Sequence, residues 1–157
     1  MTDSKPTTVI TYGTFDIFHA GHLRILERAR DLGDRLVVGV STDQFNAGKG
    51  KRSVFSCEER MDIVGSLRCV DAVFPEDVWD QKRSDILRFG ASVLVMGADW
   101  ESKFDELSDI VSVVYLPRTP NISTTDVKKS LRQLEPADIE NLKNAVDILS
   151  GIVKGIA

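Results

Sequence analysis

Five short runs rich in β-branched and apolar residues alternate with segments of helical periodicity: Thr8 to Tyr12, Arg35 to Val40, Ala72 to Phe74, Val93 to Met96 and Val113 to Leu116. That alternation restricts the fold more than any other feature, because strands separated by helices build a parallel sheet. Near-continuous apolar character in Leu36-Val37-Val38 and Val93-Leu94-Val95-Met96 suits strands covered on both faces. The expected class is α/β, an open parallel sheet with helices on both faces. Leu23, Leu26, Ala29 and Leu32 step at helical spacing, and Gly33 follows where a C-terminal glycine cap would sit. Ser56 and Glu59 form a capping-box pattern ahead of Met61, Ile63, Val64 and Leu67, and a third helix spans about Gln81 to Phe89. With 157 residues, one domain is the default.

After the last strand run, Pro117 and Pro120 mark a loop, and the run Ser123-Thr124-Thr125-Asp126 is a natural helix N-cap. From Asp138, the residues Ile139, Leu142, Val146, Leu149, Val153 and Ile156 trace an amphipathic helix, weakened at Gly151 by about 1 kcal/mol relative to alanine. Glu135-Pro136-Ala137 separates it from the preceding helix. Residues 1–131 are therefore read as the main domain and 132–157 as a C-terminal helical extension of it. The stripe is expected to dock on its own domain or on a second subunit. A membrane surface is disfavoured, since the polar face with Glu140, Lys143, Asp147 and Lys154 is not basic. No apolar run approaches the roughly 20 residues that span a bilayer, and Met1 to Thr8 has no apolar leader core. Cys57 and Cys69 lack metal-site spacing and suit a reducing compartment, so a cytoplasmic protein is expected.

Both histidines lie in Gly13-Thr14-Phe15-Asp16-Ile17-Phe18-His19-Ala20-Gly21-His22, between the first strand and the first helix. Loops at the carboxyl ends of parallel strands form the ligand crevice of such sheets. A helix starting near Ala20 aims backbone N–H groups and the positive end of its dipole into that crevice. Phosphate suits this geometry best, with His19 and His22 as side-chain donors and Gly21 allowing close approach to the backbone. A helical metal pair or two core histidines are the competing readings; a catalytic metal usually takes three protein ligands, and no third His or nearby Cys is present. The net charge of −4 argues against a general nucleic-acid binder but leaves small anions open.

These residues resemble the nucleotidyltransferases with a His-x-Gly-His motif, whose fold is Rossmann-like, over about Val9 to Leu131. Arg118-Thr119-x-x-Ile122-Ser123-Thr124-Thr125 looks like the second signature, which marks the cytidylyltransferase branch. Within it, Trp79-Asp80-Gln81-Lys82 and the stretch Met96 to Asp105 are more similar to the bacterial glycerol-3-phosphate enzymes than to the choline-phosphate ones. The resemblance implies in-line attack by a phosphate oxygen of glycerol 3-phosphate on the α-phosphorus of CTP, giving CDP-glycerol and diphosphate, with no covalent enzyme intermediate. It implies a homodimer, without nucleic acid or membrane partners, whose product feeds a teichoic acid or capsule. The protein's task in such chemistry is to align two polyanions and neutralise developing charge.

Carried over by position, His19, His22, Lys49 and Arg118 would be catalytic. Thr14, Phe15, His19, Ala20, Gly21, His22, Lys51, Arg68, Asp99, Arg118, Thr119, Ile122, Ser123, Thr124 and Thr125 would bind the nucleotide. Lys49 and Lys82 would bind the acceptor phosphate. Lys49 and Lys51 sit in Ala47-Gly48-Lys49-Gly50-Lys51-Arg52, read as a flexible basic loop. Arg68 is assigned to the cytosine side, against the alternative of a solvated arginine near a helix end. Mg²⁺ is expected on the CTP phosphates, with Asp16 or Asp99 touching it, or Asp99 hydrogen-bonding the nucleotide or backbone. Arg60 is expected to orient the site through carboxylates. Ala20 is small where similar enzymes carry a large aromatic, implying a wider crevice near the acceptor. The alternatives are the same transfer to ethanolamine phosphate, choline phosphate or another polyol phosphate, and a non-catalytic nucleotide-binding protein.

Overall fold

A computed structural model describes residues 5–132 and 136–155. The chain divides into two compact units, one up to Ile122 and one from Ser123 onward. The first unit holds strands β1 (Thr8–Gly13), β2 (Arg35–Ser41), β3 (Ala72–Glu76), β4 (Val93–Gly97) and β5 (Ser112–Leu116). They form one parallel sheet in the order β3-β2-β1-β4-β5. All five strands coincide with the five apolar runs to within two residues at either end. Helices α1 (Ala20–Arg30), α2 (Asp43–Gly48), α3 (Cys57–Gly65) and α4 (Lys82–Phe89) belong to the same unit.

The side-chain period of two sends alternate strand residues to opposite faces, so the sheet separates two cores. On one face Ile10, Val37, Leu94 and Met96 pack with Ile86 of α4. On the other, Val9, Leu36, Val38 and Val95 pack with Leu26 and Ala29 of α1 and Val64 of α3. Ser56 caps α3 by accepting from the Glu59 N–H at 3.2 Å while the Glu59 carboxylate accepts from the Ser56 N–H at 2.8 Å, the reciprocal box the sequence predicts.

Gly33 does not cap α1. The cap is Asp31, in right-handed helical geometry, and a Cβ at Gly33 would lie 2.7 Å from the Thr7 carbonyl oxygen. Close approach of the α1–β2 turn to the chain before β1 is what demands glycine there. The left-handed cap occurs instead at Gly90 (φ 61°), which ends α4.

The second unit holds α5 (Thr124–Arg132) and α6 (Pro136–Gly155). The division at residues 122 and 123 places α5 with α6 rather than with 1–131. Ser123 caps α5, its hydroxyl accepting from the Asp126 N–H at 3.1 Å. Glu135 and Ile156 lie outside the described residues. Among the described residues no helix is long and apolar enough to cross a membrane.

Candidate active site

The sheet order reverses between β1 and β4, so the crevice opens at the carboxyl ends of these two strands. The loop leaving β1 is held in an unusual backbone. Phe15 and Ile17 have φ of 54° and 47°, a region that costs non-glycine residues energy and persists only where surroundings enforce it. The Phe15 ring is buried and would lie 2.7 Å from a Cβ at Gly13. Its edge meets the His22 ring, centroids 5.6 Å apart, so the Phe15 side chain braces His22.

His19 is the N-cap of α1. Its Nδ1 accepts from the Gly21 N–H at 3.1 Å, while His22 Nδ1 accepts from the His19 N–H at 3.3 Å. The two rings stack with centroids 3.8 Å apart. Because each Nδ1 is an acceptor, the hydrogen-bond network assigns the neutral tautomer with hydrogen on Nε2 to both rings. Burial, then the charge on a protonated His19, push His22 down to about 4; the opposing pull of Asp16 is smaller. Burial also lowers His19. The pair therefore enters neutral pH as two preorganised N–H donors. An unfolded His22 takes up a proton near pH 6.5 and the folded one does not until about 4, so its linked stability is complete above pH 6.5 and is lost as pH falls toward 4. That window spans on the order of 3 kcal/mol. Thermal melts from pH 7 to pH 4 should show a shallower decline for His22→Asn than for the parent chain; equal slopes would mean His22 is not held neutral.

A scaffold behind this loop joins distant segments. The buried Asp16 carboxylate accepts from the Val54 N–H at 2.9 Å and the Phe55 N–H at 3.1 Å. Arg60, fully buried on the apolar side of α3, donates to the carbonyls of Phe55 (3.1 Å), Thr14 (2.7 Å) and Ser41 (2.8 Å) and to the Asp43 carboxylate (2.7 Å). Where the sequence pointed to carboxylate partners, Arg60 joins three carbonyls and one carboxylate. The guanidinium holds the Asp43 carboxyl below its usual range. The Thr14 hydroxyl lies 3.0 Å from that of Ser41 and donates to Asn46 at 3.5 Å.

The segment read as a flexible basic loop is partly helical and tied down. Residues 43–48 form α2, capped by Thr42, whose hydroxyl accepts from the Phe45 N–H at 3.2 Å. The carbonyl of fully buried Asn46 accepts from the N–H groups of Lys49 (3.0 Å) and Lys51 (2.9 Å), and its side chain donates to Ser53 at 3.1 Å. Lys49 Nζ lies 4.0 Å from the Phe45 ring centroid and 5.7 Å from that of Trp79, and burial lowers its pKa. Lys51 lines a cavity of about 410 Å³ with Asp43, Arg52 and Phe55.

Lys82 is buried, and its ammonium pairs with the buried Glu76 carboxylate. Rings of Trp79, Tyr12 and Phe104 surround it at 4.3, 4.5 and 5.2 Å. Tyr12 donates to Asp85 at 3.0 Å; burial, then that carboxylate, push the phenol far up. Burial raises Glu76 against the pull of Lys82 and Lys49, so two lysines face one carboxylate at the end of β3. Arg118 pairs with Asp99 at 2.7 Å. Ile122 packs at the start of α1, its Cγ2 3.0 Å from where a Gly21 Cβ would stand, and Ala20 is exposed there. Thr119 follows Arg118 in the loop after β5. Ser123, Thr124 and Thr125 lie in the second unit. Arg68 is exposed in the turn before β3, at the opposite end of the strands from the crevice, and is not brought to the other site residues of its own chain.

Asn46, Ser41 and Glu76 were not picked out from the sequence. A polar residue beside a Thr N-cap and an acid closing a strand are weak signals without the fold.

The sequence profile of the cytidylyltransferase-like family matches residues 10–130. The chain is 54% identical over 126 residues to the glycerol-3-phosphate cytidylyltransferase of Bacillus subtilis (strain 168), covering 80% of this chain and 98% of the relative. It is 50% identical over 123 residues to that of Staphylococcus aureus (strain NCTC 8325 / PS 47), covering 78% and 93%. Among solved structures, the lipopolysaccharide core biosynthesis protein of Thermoplasma volcanium GSS1 superposes with a TM-score of 0.64 at 26% identity, covering 73% of this chain and 99% of the other. A bifunctional NMN adenylyltransferase/ADP ribose pyrophosphatase of Francisella tularensis shares the fold with a TM-score of 0.60 at 18% identity, covering 80% and 42%.

Proposed function

This chain belongs to the cytidylyltransferase-like family, and on that basis we propose that it transfers the cytidylyl group of CTP to glycerol 3-phosphate. A phosphate oxygen of the acceptor forms a bond to the α-phosphorus as the bond to the bridging oxygen breaks, and diphosphate leaves with that electron pair. The observation that carries the reading is the neutral, stacked His19 and His22 pair at the N-terminus of α1, on the switch point of the sheet. Two Nε2–H groups and the positive end of the α1 dipole face the oxygens on which charge builds. Lys49 and Arg118 supply cations to the polyphosphate, and Lys82 with Lys49 receives the acceptor phosphate, displacing the Glu76 carboxylate as their counter-charge. Thr14, Lys51, Asp99, Thr119 and Ile122 hold the nucleotide.

Mg²⁺ fits as a passenger on the triphosphate. Both oxygens of Asp16 accept backbone N–H bonds and Asp99 pairs with Arg118, so the crevice is built from anion-binding groups. When bound, the metal neutralises phosphate charge. A homodimer serving a glycerol-phosphate polymer such as a teichoic acid completes the reading.

The test is diphosphate release with CTP, Mg²⁺ and a panel of phosphate monoesters. Glycerol 3-phosphate should give the highest kcat/KM. Preference for ethanolamine or choline phosphate would move the acceptor assignment, and no release with any acceptor would leave a nucleotide-binding protein. CTP should outperform ATP and GTP by on the order of 100-fold or more, because the wrong base leaves polar groups unpaired. Comparable turnover with ATP would overturn the cytidylyl assignment.

A further inference from the structure

The apolar positions of α6 follow a stricter rule than amphipathicity. Ile139, Leu142, Val146, Leu149, Val153 and Ile156 are spaced 3, 4, 3, 4 and 3 residues apart, the 3.5-residue period of a coiled-coil seam. Taking Ile139 as an a position puts β-branched Ile139, Val146 and Val153 at a, and Leu142, Leu149 and Ile156 at d. In a parallel arrangement, β-branched a residues with leucine at d favour two strands over three or four. The described members of the seam stand open: Leu142, Val146, Leu149 and Val153 are 58, 59, 61 and 68% exposed.

Two further observations select the occupant. In a parallel in-register pair each g residue faces the e residue five positions on in its partner, which sets Asp138 against Lys143 of the other strand, opposite in charge. An antiparallel pair would not match these two. Gly151 falls at f, on the outer face, where it weakens a lone helix yet leaves the seam unbroken. A helix of 20 residues with an interior glycine needs a packing partner to persist.

We propose that α6 pairs with α6 of a second copy of this chain as a short, parallel, two-stranded coiled coil. Facing a residues in such a pair come within disulfide reach, and residues on the outer face do not.

Val146→Cys (a) and Asp147→Cys (b) in the full chain, under mild oxidation, separate the possibilities on a non-reducing gel, with the parent chain setting the background from Cys57 and Cys69. Val146→Cys should form reducible covalent dimer at least about tenfold more efficiently than Asp147→Cys, and Leu149→Cys (d) should behave like Val146→Cys. Equal cross-linking at 146 and 147, or none above background at 146 and 149, would overturn the proposal and point to docking on the chain's own domain or on lipid. Leu142→Asp with Val146→Asp should lower the melting temperature or the mass by light scattering while diphosphate release persists. No change in either quantity would also overturn it.

Discussion

His22→Ala should fold, bind CTP within a few fold of the parent affinity, and lose on the order of 100- to 1000-fold in turnover. The magnitude follows from what the ring does. A neutral imidazole with its Nδ1 spent on the His19 N–H keeps one Nε2–H donor fixed in direction. A donor aimed at oxygens whose charge grows in the transition state contributes more there than to the bound substrates. Removing one such preorganised donor costs about 3 to 4 kcal/mol. Loss of a ground-state contact alone would raise KM and leave kcat nearly unchanged. Steady-state kinetics beside calorimetric CTP binding on one preparation separates these cases. Near-normal turnover in a folded variant would remove His22 from the chemistry.

Arg60→Met should be the most destabilising single change in the crevice scaffold, because Arg60 is fully buried and ties several segments together. Methionine fills part of the volume but deprives three carbonyls and the Asp43 carboxylate of their donor. Leaving a buried or part-buried acceptor without its donor costs about 1 to 3 kcal/mol, while the half-exposed Asp43 carboxylate stays hydrated; in a chain of this size the three carbonyls together lower the melting temperature by roughly 10 °C. Arg60→Lys should recover little, because one ammonium cannot reach four acceptors held in a planar fork. A shift under about 2 °C for Arg60→Met would show that the segments stay together without it.

The strands were legible because each is a run of β-branched residues long enough to outweigh its neighbours, and the capping box named the start of α3. What escaped did so for local reasons. The expected strand ended at Phe74; β3 runs through Pro75 to Glu76, which an edge strand allows because a missing N–H there goes unused. That extension is what delivers Glu76 to Lys82. α2 was hidden by its length of six residues and by the Gly48-Lys49-Gly50 tract that ends it. Arg60 carries a readable signal: it lies one turn from Val64 on the buried side of α3, and a charged residue in phase with an apolar stripe is an anchor. The lysines and histidines of the crevice were legible as residue types. Their neutral tautomers and aromatic neighbours depend on burial, which no spacing in the sequence encodes.

The tethering of residues 49–55 bears on speed. Asn46 holds this stretch at one end through the Lys49 and Lys51 amides, and Asp16 holds it at the other through Val54 and Phe55. A backbone pinned twice within a few residues has little room to swing, so Lys49 and Lys51 reach an incoming anion by turning about their own side-chain bonds. Rotamer changes of exposed side chains take picoseconds to nanoseconds, whereas a swinging lid takes microseconds or longer. Under the proposed function, capture of the polyphosphate would be uncoupled from any slow gate in this segment, and its encounter rate should weaken as ionic strength rises.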